Sequence, residues 1–79
     1  MTNQEKYDQA FIEIFGITTD ILTDDFAYQA IPEWDSVGHM GLIAELEDLF
    51  DIMMETEDII EFGSYGEGKK ILEKYSVEI

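Results

Sequence analysis

The chain of 79 residues has no cysteine, no arginine, a single proline at Pro32 and only four lysines. Without cysteine there is no disulfide framework, no thiolate metal site and no cysteine nucleophile. No apolar run approaches the length needed to cross a bilayer, so membrane insertion is not expected. The opening Met-Thr-Asn-Gln-Glu-Lys carries no apolar h-region of a signal peptide, and together with the missing cysteines this points to the cytoplasm. No stretch alternates apolar and polar residues in the manner of a strand, and there is no internal repeat or low-complexity tract. A chain of this size is one domain, residues 1–79, and buries only roughly 60% of the surface that its unfolded form exposes. A deep enzyme cleft would compete with the core for the same few apolar side chains. The size therefore favours a compact binding or carrier module.

What is abundant is negative charge. Nineteen Asp and Glu against four Lys give a formal net charge of −15. The lysines lie near the ends, at Lys6, Lys69, Lys70 and Lys74, while every carboxylate except Glu5, Glu73 and Glu78 falls between Tyr7 and Gly68. Such a surface repels nucleic-acid phosphates and anionic lipid headgroups. It steers the molecule toward basic patches on other proteins, with an on-rate that falls as salt rises. Strong like charge also predicts a monomer. An apolar fraction of 46% with ten aromatic residues argues against disorder.

The apolar spacing predicts helices throughout. Tyr7, Ala10, Phe11, Ile14 and Phe15 form one stripe of a first helix over residues 3–15, which Gly16 stops. Residues 17–35 read as a long connection whose Ile17, Ile21, Leu22, Phe26, Tyr28, Ile31 and Trp34 pin it to the core. Asp35 is a preferred N-cap for a second helix, whose apolar set is Leu42, Ile43, Leu46, Leu49, Phe50 and Met53. Thr56 caps a short helical turn over residues 57–62, broken by Gly63. Ser64 and Glu67 make a capping box for a last helix that buries Ile71, Leu72 and Tyr75, with Gly66 and Gly68 weakening its first turn. The fold class is all-α, a small four-helix bundle of three longer helices and one short, with the long loop between helices 1 and 2. Four Met and several Phe suggest an adaptable core.

The segment Trp34-Asp35-Ser36-Val37-Gly38-His39-Met40-Gly41-Leu42-Ile43 opens the second helix. A serine there lies at the positive end of the helix dipole, where a phosphate is favoured. After a long loop it is also within reach of a large modifying enzyme. The plain alternative is that Asp35 and Ser36 merely cap the helix. Taken with Leu46-Glu47-Asp48-Leu49-Phe50-Asp51-Ile52 and the helix order, however, the whole chain resembles the acyl carrier protein family.

The resemblance implies that Ser36 carries 4′-phosphopantetheine, attached from coenzyme A by a phosphopantetheinyl transferase that normally uses Mg²⁺. It implies a protein that is not itself an enzyme and that holds acyl groups as thioesters on the arm. Asp35 is then the motif neighbour that aids recognition by the transferase. Partner docking falls to Val37, Met40, Ala44, Glu47, Asp48 and Asp51 on the outer face, met by basic patches on acyl-loading, condensing or acyl-transfer enzymes. Gly38 and Gly41 stand where the best-known fatty-acid carriers are acidic. With Trp34 and His39, this suggests a dedicated pathway such as surface-saccharide, peptide or polyketide assembly, and not bulk fatty-acid synthesis.

Three other readings compete. Asp35, Ser36 and His39 are the residue types of a hydrolytic triad, but consecutive helical positions do not give its chain of hydrogen bonds. No Asp-x-[Asp/Asn]-x-[Asp/Asn]-Gly loop closed by Glu supports a calcium sensor, and no metal site is expected. The remaining one is an acidic helical interaction module that is never modified. His39 is read first as a packed or capping residue, and second as a group that touches the phosphate.

Overall fold

The computed structural model describes residues 1–79, which form four α-helices: α1 (Asn3–Phe15), α2 (Ser36–Phe50), α3 (Thr56–Glu61) and α4 (Tyr65–Glu73). A 3₁₀ turn at Thr19–Ile21 interrupts the long connection between α1 and α2. There is no strand, and no helix is long and apolar enough to cross a membrane.

The start of α1 is fixed by a reciprocal capping box: Glu5 N–H donates to Thr2 Oγ1 at 3.1 Å, and Thr2 N–H donates to the Glu5 carboxylate at 3.0 Å. The bond from Thr2 N–H, then that from the Thr2 side chain, holds the Glu5 carboxyl below its ordinary range. Gly16 closes the helix in the left-handed conformation at φ 65°. The expected stripe faces inward, with Tyr7, Ala10, Phe11 and Phe15 buried and Ile14 partly so.

The core is aromatic. Phe11 lies at its centre and meets the rings of Tyr7, Phe15, Phe26, Trp34, Phe62 and Tyr65 at centroid separations of 5.0–6.3 Å. Most of these pairs are edge-on, the arrangement that ring quadrupoles favour. Of the Met and Phe expected to make the core adaptable, Phe11, Phe15, Phe26 and Phe62 are buried but most of the methionines are not. Only Met54 is buried, whereas Met1, Met40 and Met53 are exposed. Loop residues Phe26 and Trp34 fill the space instead, and they anchor the long connection as expected. Ile17, Ile21, Leu22 and Ile31 pack around that core, but Tyr28 stays 38% exposed. Its backbone is tied all the same, since Tyr28 N–H donates to Gly63 O at 2.9 Å and Tyr65 N–H to Phe26 O at 2.7 Å. The long loop is thus stitched to the α3–α4 junction.

Two expectations about helix ends change. Asp51, at φ 53°, turns left-handed after Phe50, and the N–H groups of Asp51 and Ile52 both close on Glu47 O. Met53 therefore leaves the stripe of α2 and is 86% exposed. In α3, Thr56 is the first helical residue and not its cap, Glu55 taking the cap position without a side-chain bond. Ser64 does cap α4, accepting from Glu67 N–H at 3.0 Å. Tyr75 lies past the end of α4 and is partly buried, its hydroxyl reaching the Glu55 N–H at 2.9 Å and the Asp58 carboxylate. Gly68 is no mere weak point of α4. A Cβ there would run into the Tyr7 hydroxyl and the Phe62 ring, so its lack of a side chain lets α4 close onto α1.

Candidate functional site

The polypeptide before α2 is held by burial of Trp34, which is 0% exposed, and by Trp34 N–H donating to Ile31 O at 3.1 Å. Asp35 follows in extended conformation as the N-cap, its carboxylate accepting from Gly38 N–H at 2.8 Å. Ser36 is the first residue of α2 and is exposed, so it does not serve as the cap. The division of labour is set by these two neighbours. Asp35 makes the side-chain capping bond and leaves the Ser36 hydroxyl free of that duty.

Gly38 lies one turn in. A Cβ at this position would collide with the carbonyl oxygen of Glu33 and press on the Phe15 ring at 3.2 Å. No acidic side chain fits there, which gives a packing reason for the missing charge near Ser36. Gly41 differs, since a Cβ there would make only ordinary contact with Ile14 at 3.7 Å.

Beside Ser36 an apolar cleft of about 340 Å³ opens between α2 and α3. Ser36, His39 and Met40 line it from α2, Ile59 and Ile60 from α3, and Tyr28, Phe62 and Gly63 complete the wall. The Tyr28 hydroxyl sits 3.1 Å from Ser36 Oγ. His39 forms the floor. The Trp34 indole N–H donates to its Nδ1 at 3.0 Å, which places the ring proton on Nε2, and Nε2 donates to Ile59 O at 2.8 Å. Both ring nitrogens are thereby committed, and the packed reading of His39 accounts for every polar atom of the ring. Its face stacks on Trp34 at 6.2 Å, and the Tyr28 ring meets it edge-on at 5.8 Å.

The outer face of α2 separates into two kinds of residue. Val37 is 81% and Met40 54% exposed, and Ala44, Asp48 and Asp51 also face solvent. Glu47 does not belong with them. It is partly buried, and its carboxylate accepts from Met54 N–H at 2.8 Å, bracing the turn between α2 and α3. Toward α1, partial burial and the nearby Glu13 and Asp48 carboxylates push the Glu45 carboxyl above its ordinary range. No group of three or more His, Asp or Glu side chains is arranged to hold a metal ion.

Sequence reasoning found Ser36, Asp35, Val37 and Met40, and the fold gathers these around one helix end. It missed Tyr28, Ile59 and Ile60. An aromatic residue in a long loop usually anchors it, so Tyr28 reads as a core residue. Ile60, 76% exposed on a helix of six residues, gave no periodicity strong enough to set its face. Comparisons with protein-family models, curated proteins and solved structures return no match to this chain.

Proposed function

We propose that the protein is an acyl carrier in which Ser36 is the attachment point of 4′-phosphopantetheine. One observation carries the reading: an exposed serine hydroxyl stands at the first residue of a long helix, uncommitted to capping, beside an apolar cleft. The residues present fit such a group. The hydroxyl is open to a modifying enzyme, the neighbouring surface is apolar, and the helix end tolerates a phosphodiester. When bound, the arm supplies a terminal thiol that holds acyl groups as thioesters, chemistry that belongs to the arm and not to the fold.

The chain's own residues then have limited tasks. Ser36 Oγ, giving up its proton, provides the oxygen of the new ester bond to phosphorus, while the pyrophosphate bond of coenzyme A breaks and adenosine 3′,5′-bisphosphate leaves. Asp35 keeps the first turn of α2 intact through Gly38 N–H. Val37, Met40 and Ala44 offer an apolar contact to partner enzymes, and Asp48 and Asp51 surround it with negative charge suited to basic docking patches. Glu47, engaged at Met54, contributes to that surface less than its type suggests. The protein performs no acyl chemistry of its own. His39, which would have to serve as the base of a triad, spends its nitrogens on Trp34 and Ile59, and Asp35 spends its carboxylate on Gly38. Packing at Gly38 bears on the pathway as well, because it thins the acidic face close to Ser36 and favours a dedicated pathway over bulk fatty-acid synthesis.

The test is a mass measurement after incubation with coenzyme A, Mg²⁺ and a broad-specificity phosphopantetheinyl transferase. The expected result is a gain of one phosphopantetheine on the native chain and none on Ser36→Ala. An unmodified native chain would sink the carrier reading and leave the interaction module in its place.

A further inference from the structure

The wall around Ser36 contains few groups able to meet a negative charge. Of the residues lining the cleft, Met40, Ile59, Ile60, Phe62 and Gly63 offer no polar side chain, and none is a lysine or arginine. His39 is the one ring with nitrogens, and both are taken by Trp34 and Ile59 O. Asp35 is an anion engaged with the Gly38 N–H, so one donor of the helix end is already occupied. Beside the remaining backbone N–H groups of the helix end, the one side-chain donor left is the Tyr28 hydroxyl. It hydrogen-bonds Ser36 Oγ at 3.1 Å, and in that pair either oxygen can donate.

Tyr28 is also well placed to keep that position. Its backbone N–H is bound to Gly63 O at 2.9 Å, and its ring rests edge-on against His39, itself bolted at both nitrogens. A phosphodiester on Ser36 Oγ would bring its oxygens next to Oγ, on whose side the Tyr28 hydroxyl, 3.1 Å away, would be the side-chain donor in reach. Once the serine has no proton to give, the tyrosine is the member of the pair that donates. A hydrogen bond from a neutral donor to an anionic oxygen is stronger than one between neutral groups.

On the carrier reading above, we infer that Tyr28 is a positioning residue: its hydroxyl orients Ser36 Oγ before modification and donates to the phosphodiester afterwards. The anion is thereby held at the mouth of the cleft without a cation. No lysine or arginine is needed there, in keeping with their absence from residues 7–68.

The experiment uses the intact chain and Tyr28→Phe, which removes the hydroxyl and keeps the ring. Both are modified from coenzyme A, checked by mass, and compared by ³¹P NMR. The expected result is a native phosphorus resonance displaced from its position in the denatured holo-protein, and a Tyr28→Phe resonance moved back toward that position. A second readout does not depend on the variant's folding: in the native chain, the Tyr28 Cζ carbon signal shifts when the phosphodiester forms. Transfer kinetics add a third, a kcat roughly 2- to 10-fold lower for Tyr28→Phe at unchanged KM, the range set by one neutral hydrogen bond. Full modification with identical phosphorus resonances and an unmoved Tyr28 signal would overturn the role of Tyr28 while leaving the carrier reading intact. Failure of the native chain to gain mass would overturn the carrier reading, and this inference with it.

Discussion

The two sides of α2–α3 and α1–α4 are built on different terms. Around Phe11, six rings and a close approach at Gly68 fill the space between α1, α4 and the long loop. Around His39, α2 and α3 face each other across an apolar cleft of about 340 Å³, and the side-chain hydrogen bond joining them across it is His39 to Ile59 O. One half gains its stability from burial. The other sends Leu42, Ile43 and Leu46 of α2 into the same core, yet keeps apolar surface open at Val37, Met40 and Ile60. A small chain cannot close every apolar surface, and here an open apolar cleft lies beside Ser36.

Breaking the aromatic half should cost most. Phe11→Ala removes the central ring, and a buried Phe→Ala change costs about 3–5 kcal/mol. In a domain of this size that is a large part of the total stability, so thermal unfolding should show a deep fall in Tm or a chain without a cooperative transition. At the cleft, His39→Leu conserves bulk but leaves the buried Trp34 N–H and the Ile59 carbonyl without their partner. The expected loss is about 1–3 kcal/mol by chemical denaturation, accompanied by faster amide exchange in α3 than in α1. Equal losses from the two substitutions would erase the contrast between the halves.

Much of this contrast was legible in the sequence on one side only. The stripe Tyr7, Ala10, Phe11, Ile14 and Phe15 has helical spacing and a glycine stop, so α1 could be placed to the residue. Asp35 as N-cap was equally plain, because a carboxylate before an apolar-periodic run has one obvious use. The cleft could not be read. It arises where Tyr28, from a loop without periodicity, meets α3, whose six residues are too few for a stripe. Met53 misled for a related reason. It continues the spacing of α2, but the left-handed turn at Asp51 ends the helix first; aspartate tolerates that conformation, a weaker stop signal than glycine. Gly68 misled in the opposite sense. Propensity marks it as a cost to α4, whereas the fold uses it for contact with Tyr7 and Phe62.

The smallest effect belongs to the edge where α3 meets the end of α4, and its signature is pH dependence. Asp58 is buried and accepts from Lys74 Nζ and the Tyr75 hydroxyl. The bond from Lys74, then that from Tyr75, hold its carboxyl below the ordinary range, and the same bonds raise Lys74 and Tyr75 above theirs. A depressed carboxyl stabilises the fold fully above its unfolded value, about 3.9, and loses that contribution as pH falls through the lower folded value. The raised lysine contributes below its own unfolded value, about 10.4, and loses the contribution as pH rises through the folded one. The clamp is therefore complete across neutral pH and fails at both extremes. Lys74 is largely solvated, so salt should weaken the pair. Asp58→Asn should lower Tm at neutral pH by less than either substitution above, with the gap to the native chain closing as pH drops below the carboxylate range. Because general acid titration of the many other carboxylates affects both chains, the difference between their Tm curves isolates this one group. A gap that stays constant with pH would mean that Asp58 is held by packing and that its charge does not matter.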